Sequence, residues 1–221
     1  MTNGTNPRPR RVVGELLIIV TGVLIALWID AGWAWLQDRQ EEAQMLLDLE
    51  ADFGANLASI EEVMAVHDAL LEGVPRTIAN GADGLSDEKL ASAFRSILTL
   101  ETFTPRRGAL DAAIASGRLN LLRDPNLRSA LTGWGHYVVE AQEEIEWAAP
   151  ARDEFTELIM LDSKGDRWTS VELRALLNRV RRDPELQRPL RIKAELTREG
   201  RADFIALRDE TLRVLELIGG G

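Results

Sequence analysis

Two histidines and the acids near them are the first place to look for chemistry in this chain, because imidazole beside carboxylate is a common acid–base and metal-ligand set near neutral pH. His136 is followed by Glu140 one helical turn on and Glu143 two turns on, so the three share one helix face. Three donors on one exposed face lack the convergent cage that holds a divalent cation, and a solvated charged face is the better reading. His67 falls between Met64 and Leu71 on an apolar stripe, where a satisfied core or interface histidine is expected rather than a ligand. In the run Thr102-Phe103-Thr104-Pro105-Arg106-Arg107, two guanidinium groups beside a helix N-terminus could hold an anion, but an ordinary N-cap accounts for the same residues. There is no Gly-rich phosphate loop, no G-x-S-x-G and no H-E-x-x-H. The chain has 0 cysteines, which removes disulfides, thiol catalysis and thiolate metal sites together. No catalytic residue, cofactor or metal is inferred, and an enzyme is the least favoured class.

The element with the strongest signal is apolar. Leu16 to Leu36 contains a single charge, Asp30. As a helix it covers about 31 Å, matching the roughly 30 Å hydrocarbon core of a bilayer. A membrane span is therefore expected over 12–36, after a tail at 1–11. A cleaved signal peptide would need small residues ahead of a cut site, and Trp28-Ile29-Asp30-Ala31-Gly32-Trp33 is a poor match. Arg8, Arg10 and Arg11 precede the span and mixed then acidic residues follow it, so the positive-inside rule keeps the N-terminus cytoplasmic and places the rest outside. Arg10 and Arg11 on one side, and Trp28 and Trp35 on the other, are the expected interfacial anchors. Around the helix, Glu15, Gly22, Ala26 and Trp33 fall within about 20° of one line and Asp30 some 60° away, while Trp28 and Trp35 lie opposite. Gly22 and Ala26 form a small-xxx-small pair, which lets helices approach closely in lipid, and this face is expected to self-associate.

Charge bounds the partners. The first 36 residues carry +1 of a net charge of −10, leaving −11 beyond the span, which argues against nucleic acid and against broad attraction to anionic headgroups. Some 180 further residues suffice for one core.

That domain reads as helix throughout. Leu46, Leu49, Phe53, Leu57, Ile60, Met64 and Leu71 keep one stripe and no breaker separates them from the span, so a stalk helix is expected over 37–74, ending near Gly73-Val74-Pro75, with Gly54 its weak point. This stripe could pack on the external bundle or pair between subunits. Arg76 to Gly84 reads as a loop, closed by Ser86 as N-cap of a short helix. Thr104-Pro105 is expected to cap another helix, stopped by Gly117. Asp124-Pro125 opens a long helix with apolar Leu127, Leu131, Trp134, Val138, Ala141, Ile145, Ala148, Phe155 and Ile159, kinked at Pro150. After a loop at Asp162 to Asp166, a short helix near Val171 to Val180 and a second Asp183-Pro184 start are expected. The last helix carries Leu186, Leu196, Phe204, Leu207, Val214 and Ile218 with Gly200 on the same stripe, and 219–221 should be a disordered tail. Arg123-Asp124-Pro125 and Arg182-Asp183-Pro184 read as two similar caps rather than a duplication. The fold class is all-α: a single transmembrane helix continuing as a stalk into an antiparallel helical bundle over 75–218.

Gly14-Glu15, Gly22-Val23-Leu24-Ile25-Ala26-Leu27 and Ser116-Gly117-Arg118-Leu119-Asn120-Leu121 carry a resemblance. Together they resemble a family of bacterial single-pass membrane proteins known only as a domain of unknown function, over about residues 11 to 131. The family's polar Asn-x-Trp after the span is here Ile29-Asp30-Ala31-Gly32-Trp33. The resemblance implies a membrane-anchored helical protein and brings no activity or catalytic residue with it.

The expectation is a membrane-anchored, homo-oligomeric interaction, sensory or scaffold protein of the bacterial inner membrane, with the bilayer and another membrane protein as partners and no nucleic acid. A tail of 11 to 15 residues cannot form an output domain, so a sensor would signal through that second membrane protein. The alternative is a subunit of a small oligomeric channel or transport accessory, with Glu15, Thr21 or Asp30 lining a pore.

Overall fold

The computed structural model of the chain describes residues 9–99, 102–160 and 168–220, with the backbone alone for 9–18, 144, 145 and 160. Residues 1–8 of the N-terminal tail, the loop expected at Asp162 to Asp166 and Gly221 lie outside the described residues. Within them the protein is helical, without strands: α1 (Pro9–Asn80), α2 (Asp87–Leu98), α3 (Gly108–Ala115), a 3-10 turn at Arg118–Leu121, α4 (Pro125–Met160), α5 (Ser170–Val180) and α6 (Pro184–Gly219).

These elements make four arms that alternate in direction. α1 runs outward from the apolar segment. α2, the segment 102–107 and α3 return along it, as Lys193 meeting Ile97, Gln142 meeting Phe103 and Asp52 meeting Ala109 place them progressively nearer the apolar segment. α4 runs outward again. α6 comes back, with Arg188 beside Glu154, Arg201 beside Asp68 and Thr211 beside Trp134. The result is an antiparallel bundle whose second arm is broken in two, with α6 packed most extensively on α4 and next on α1.

Local chemistry explains most of the boundaries. Ser86 Oγ accepts from Lys89 N at 3.4 Å, with Asp87 and Glu88 in the first turn of α2. Thr169 and Glu172 form a capping box on α5. Asp124 and Asp183 each accept from the N–H two residues on, with proline as the first helical residue of α4 and α6.

Four expectations need correction. α1 does not stop at Gly73-Val74-Pro75 but continues to Asn80, so the loop begins five residues later than 76. Pro75 sits on the exposed side, while Val74 and Thr77 are buried in the distal core, and that packing offsets the roughly 3 kcal/mol a mid-helix proline costs. Gly81, at φ +60°, ends the helix in the left-handed region, and a Cβ there would lie 2.5 Å from Asn178 Oδ1, the atom that accepts from Ala82 N at 3.0 Å. α3 begins at Gly108 rather than at Thr104-Pro105, because its exposed N–H groups are met from another helix: Asp52 on α1 accepts from Ala109 N at 2.9 Å. Leu196 is only half-buried, and Lys193 and Thr197 occupy the inner face of α6 instead. The glycine tail is helical to Gly219, with Gly220 N donating to Glu216 O at 3.0 Å.

The core has two parts. A proximal part gathers Leu49, Phe53 and Ile60 of α1 with Phe103, Leu131, Trp134, Phe204 and Leu207. A distal part gathers Leu70 and Val74 with Leu90, Ile97, Phe155, Leu177 and Leu186. The stalk stripe is thus used within the chain: Leu49, Phe53, Ile60 and Met64 are buried against its own bundle. Polar residues lie near the join of the two parts. Lys193 Nζ, on a side chain that is almost wholly buried, donates to the carbonyls of Ser96, Ile97 and Thr99 at 3.3, 2.6 and 2.8 Å, closing the C-terminus of α2 with a cation. Burial, aided by the charge of Arg152, pulls its ammonium down to about 8. His67 stands edge-on to Phe204, ring centroids 5.1 Å apart, and its Nδ1 is buried with no hydrogen-bond partner among the described residues. The expected core position is therefore right, and the expected satisfaction of its hydrogen bonds is not.

Candidate functional site

Residues 19–36 of α1 are the part of the molecule that its own packing does not explain. Every residue there is exposed, and the apolar window within them has a mean hydropathy of 1.7 and no burial inside the chain. This helix is long and apolar enough to cross a membrane. The contrast with the bundle is the informative point, since the bundle buries its large apolar stripes while Trp28 and Trp33 stand 85% and 71% exposed. Gly22, Ala26, Asp30 and Trp33 all lie in this bare stretch. Among the described residues nothing packs within 4 Å of a Cβ placed at Gly22 on the small-residue face. The backbone at Arg10, Arg11 and Glu15 is helical and their side chains lie outside the described residues.

Just beyond the apolar segment the fold assembles a collar that sequence spacing does not reveal. Trp35 and Arg39 are one turn apart on α1, with the Arg39 guanidinium 5.8 Å from the indole centroid. The turn between α3 and α4 brings Arg123 to the same ring at 6.0 Å. Glu42 ties the two arginines together: its side chain is only 11% exposed, Arg39 Nη1 lies 3.0 Å and Arg123 Nε 3.8 Å from Oε2, and Oε1 accepts from Arg123 N at 3.1 Å. Arg118 reaches Glu41 at 3.7 Å, and the Arg128 guanidinium donates to Leu122 O. Gly117, at φ +71°, and the 3-10 turn after it make this reversal tight enough to hold Arg118 and Arg123 against α1. The Ser-Gly-x-Leu-x-Leu segment thus serves as the hinge of the collar. In the sequence Arg123 stands before an Asp-Pro helix start and Glu42 within a charged run, and nothing local links residues 81 positions apart.

The other candidates have these surroundings. His136 Nε2 lies 3.2 Å from Glu140 with the imidazole 72% exposed, and Glu143 is exposed on the same helix. No group of three or more His, Cys, Asp or Glu side chains able to hold a metal ion occurs among the described residues. At Thr104 to Arg107 the anion is supplied by the protein itself: Asp52 takes the α3 N–H, while Asn56 accepts from Arg106 N at 2.7 Å and donates to Arg106 O at 2.8 Å. Arg107 pairs with Asp111 at 3.2 Å.

Compared with protein-family models, with curated proteins and with solved structures, the chain matches none.

Proposed function

We propose that this chain is a membrane-anchored, self-associating interaction or scaffold protein of the bacterial cell envelope, with its N-terminus in the cytoplasm and its helical bundle outside. The observation that supports this most is the juxtaposition, on one continuous helix, of a bare apolar segment and a stripe that the bundle buries at Leu49, Phe53, Ile60 and Met64. A segment excluded from the protein's own core is stabilised by lipid, at about 25 cal/mol per Å² of apolar surface removed from water. The arginines before the span supply the orientation. Sensing in this reading goes through a second membrane protein, for which the exposed bundle faces are the contact.

Reporters fused after Ile218 test the topology. One that works only outside the cytoplasm should be active, and one that needs the cytoplasm should be silent. The reverse pattern overturns the orientation.

Self-association is proposed through Gly22 and Ala26. Gly22→Leu with Ala26→Leu should push facing backbones apart and weaken association by about tenfold, whereas leucines at Val23 and Ile25 should leave it unchanged. The isolated span and the full chain are both compared by crosslinking in membranes. Equal association with and without the paired substitution removes that face as an interface.

A further inference from the structure

The collar has a charge balance unlike the acidic bundle above it. Two guanidinium groups, from Arg39 and Arg123, share one indole and one carboxylate, so the cluster around Trp35 carries a net positive charge. Of the neighbouring acids, Glu41 pairs with Arg118, while Asp124 accepts from the N–H of Asn126, keeps its negative charge and is matched by Arg128, whose guanidinium donates to Leu122 O. Asp38 lies about 60° round the helix from Trp35. The carboxylate of Glu42 is buried beneath the arginines, while their side chains are 42% and 56% exposed and the indole is 58% exposed. A guanidinium has five N–H donors, and Glu42 takes only part of that capacity.

Position gives this cluster its partner. Trp35 is within the last turn of the apolar segment, and Glu42 is seven residues, about 10 Å, further along an unbroken helix. When the span is in a bilayer, the two guanidinium groups lie at headgroup depth, beside an indole that favours the same depth. We propose that Trp35, Arg39 and Arg123 form a binding site for a phospholipid headgroup, in which the two arginines take the phosphodiester oxygens and the indole packs against the glycerol and upper acyl region. Arg–phosphate contacts are charge-assisted and directional, and one phosphate offsets the one positive charge left over. The site belongs to the bundle as much as to the span, because Arg123 comes from the turn before α4, so a bound lipid fixes the bundle end against the membrane surface. The overall net charge of −10 does not oppose this, since screening confines each interaction to about a Debye length.

The proposal rests on the span reading, and the test keeps the two apart. The full chain is reconstituted in bilayer discs of phosphatidylethanolamine and phosphatidylglycerol, released into mild detergent, and weighed intact to count retained phospholipid. Wild type should keep one phospholipid per chain. Arg39→Gln with Arg123→Gln should lower retention about 30-fold, about fivefold for each arginine near the surface. The Arg39→Lys, Arg123→Lys pair should keep most of it, because Lys still binds phosphate as a point charge. Arg188→Gln, at the distal end, should be without effect. If the Lys pair loses as much as the Gln pair, the arginines act structurally and the headgroup site is wrong. If inorganic phosphate displaces the lipid, the site is a free-anion site and the lipid assignment falls. Carbonate extraction scores insertion separately: a chain stripped from the membrane sinks the span itself, whereas an inserted chain with no retained lipid sinks only the collar.

Discussion

Replacing Trp134 by alanine should cost about 4 kcal/mol of folding stability, more than any other single truncation in the bundle. The indole is fully buried where three arms meet: it lies against Phe53 of α1, ring centroids 4.9 Å apart and tilted 55°, and its Nε1–H donates to Thr211 Oγ1 of α6 at 2.9 Å. Thr211 in turn donates to Leu207 O at 2.7 Å. Alanine removes the packing and the cross-arm hydrogen bond together. Trp134→Phe keeps most of the ring volume and should cost about 1–2 kcal/mol, while Thr211→Val leaves a buried indole N–H without an acceptor, at about 1–3 kcal/mol. Urea unfolding of the full chain in non-ionic micelles, followed by helical circular dichroism, gives all three values. A loss under about 1 kcal/mol for Trp134→Ala would mean that α1, α4 and α6 do not share this contact.

Acid should weaken the bundle through His67. Desolvation by burial, with the charges of Lys193 and Arg201 adding to it and that of Asp68 opposing, lowers this imidazole from 6.5 to about 4. Above pH 6.5 the ring is neutral in both folded and unfolded chains, and its contribution is constant. As the pH falls from 6.5 towards 4, the unfolded chain takes up a proton that the folded chain refuses, so stability declines. Below about pH 4 both states are protonated and the loss levels off at roughly 3 kcal/mol, since each tenfold difference in proton affinity between the two states is worth about 1.4 kcal/mol. His67→Leu should remove this part of the pH dependence. It should also raise stability at neutral pH by about 1 kcal/mol, because the unpartnered Nδ1 is gone. The same unfolding measurement between pH 7 and pH 4 decides the matter. Parallel curves for the two proteins would show that the imidazole is not buried in its neutral form.

The helical architecture is legible in the sequence wherever a signal repeats. On α4 the apolar positions Leu127, Leu131, Trp134, Val138, Ala141, Ala148, Phe155 and Ile159 are buried, with the Ile145 side chain outside the described residues, because one face of a long helix has a single neighbour set and each position reports the same face. Caps at Ser86, Asp124 and Asp183 are equally readable, since donor and acceptor lie within three residues. Contacts between distant polar residues leave no such trace. Asp52 and Asn56 look like the polar flank of a stalk, yet they hold the 106–109 turn in place from another arm. Lys193 sits at an inward spacing on α6, and its charge disguises it as a surface residue although three carbonyls of α2 make its burial tolerable. Pro75 misleads for the opposite reason: local propensity ends the helix there, and tertiary burial of Val74 and Thr77 carries it on to Asn80. The long apolar helix belongs to the readable class. The collar does not, because Arg123 acquires its place only when the 3-10 turn folds against α1.

On the proposal that the apolar segment spans a bilayer, the unbroken course of α1 to Asn80 makes it a lever with its fulcrum at the membrane surface. From Leu36 to Asn80 the arm is about 66 Å long, at 1.5 Å per residue. Transmembrane helices change tilt to match the thickness of the surrounding lipid, and a change of about 10° displaces the far tip sideways by roughly 11 Å. Gly81, Asn178 and the rest of α5 ride on that tip. In that proposed setting a small adjustment to lipid thickness is amplified into a sweep about as wide as a helix, at a distance from the bilayer where a partner protein would register it.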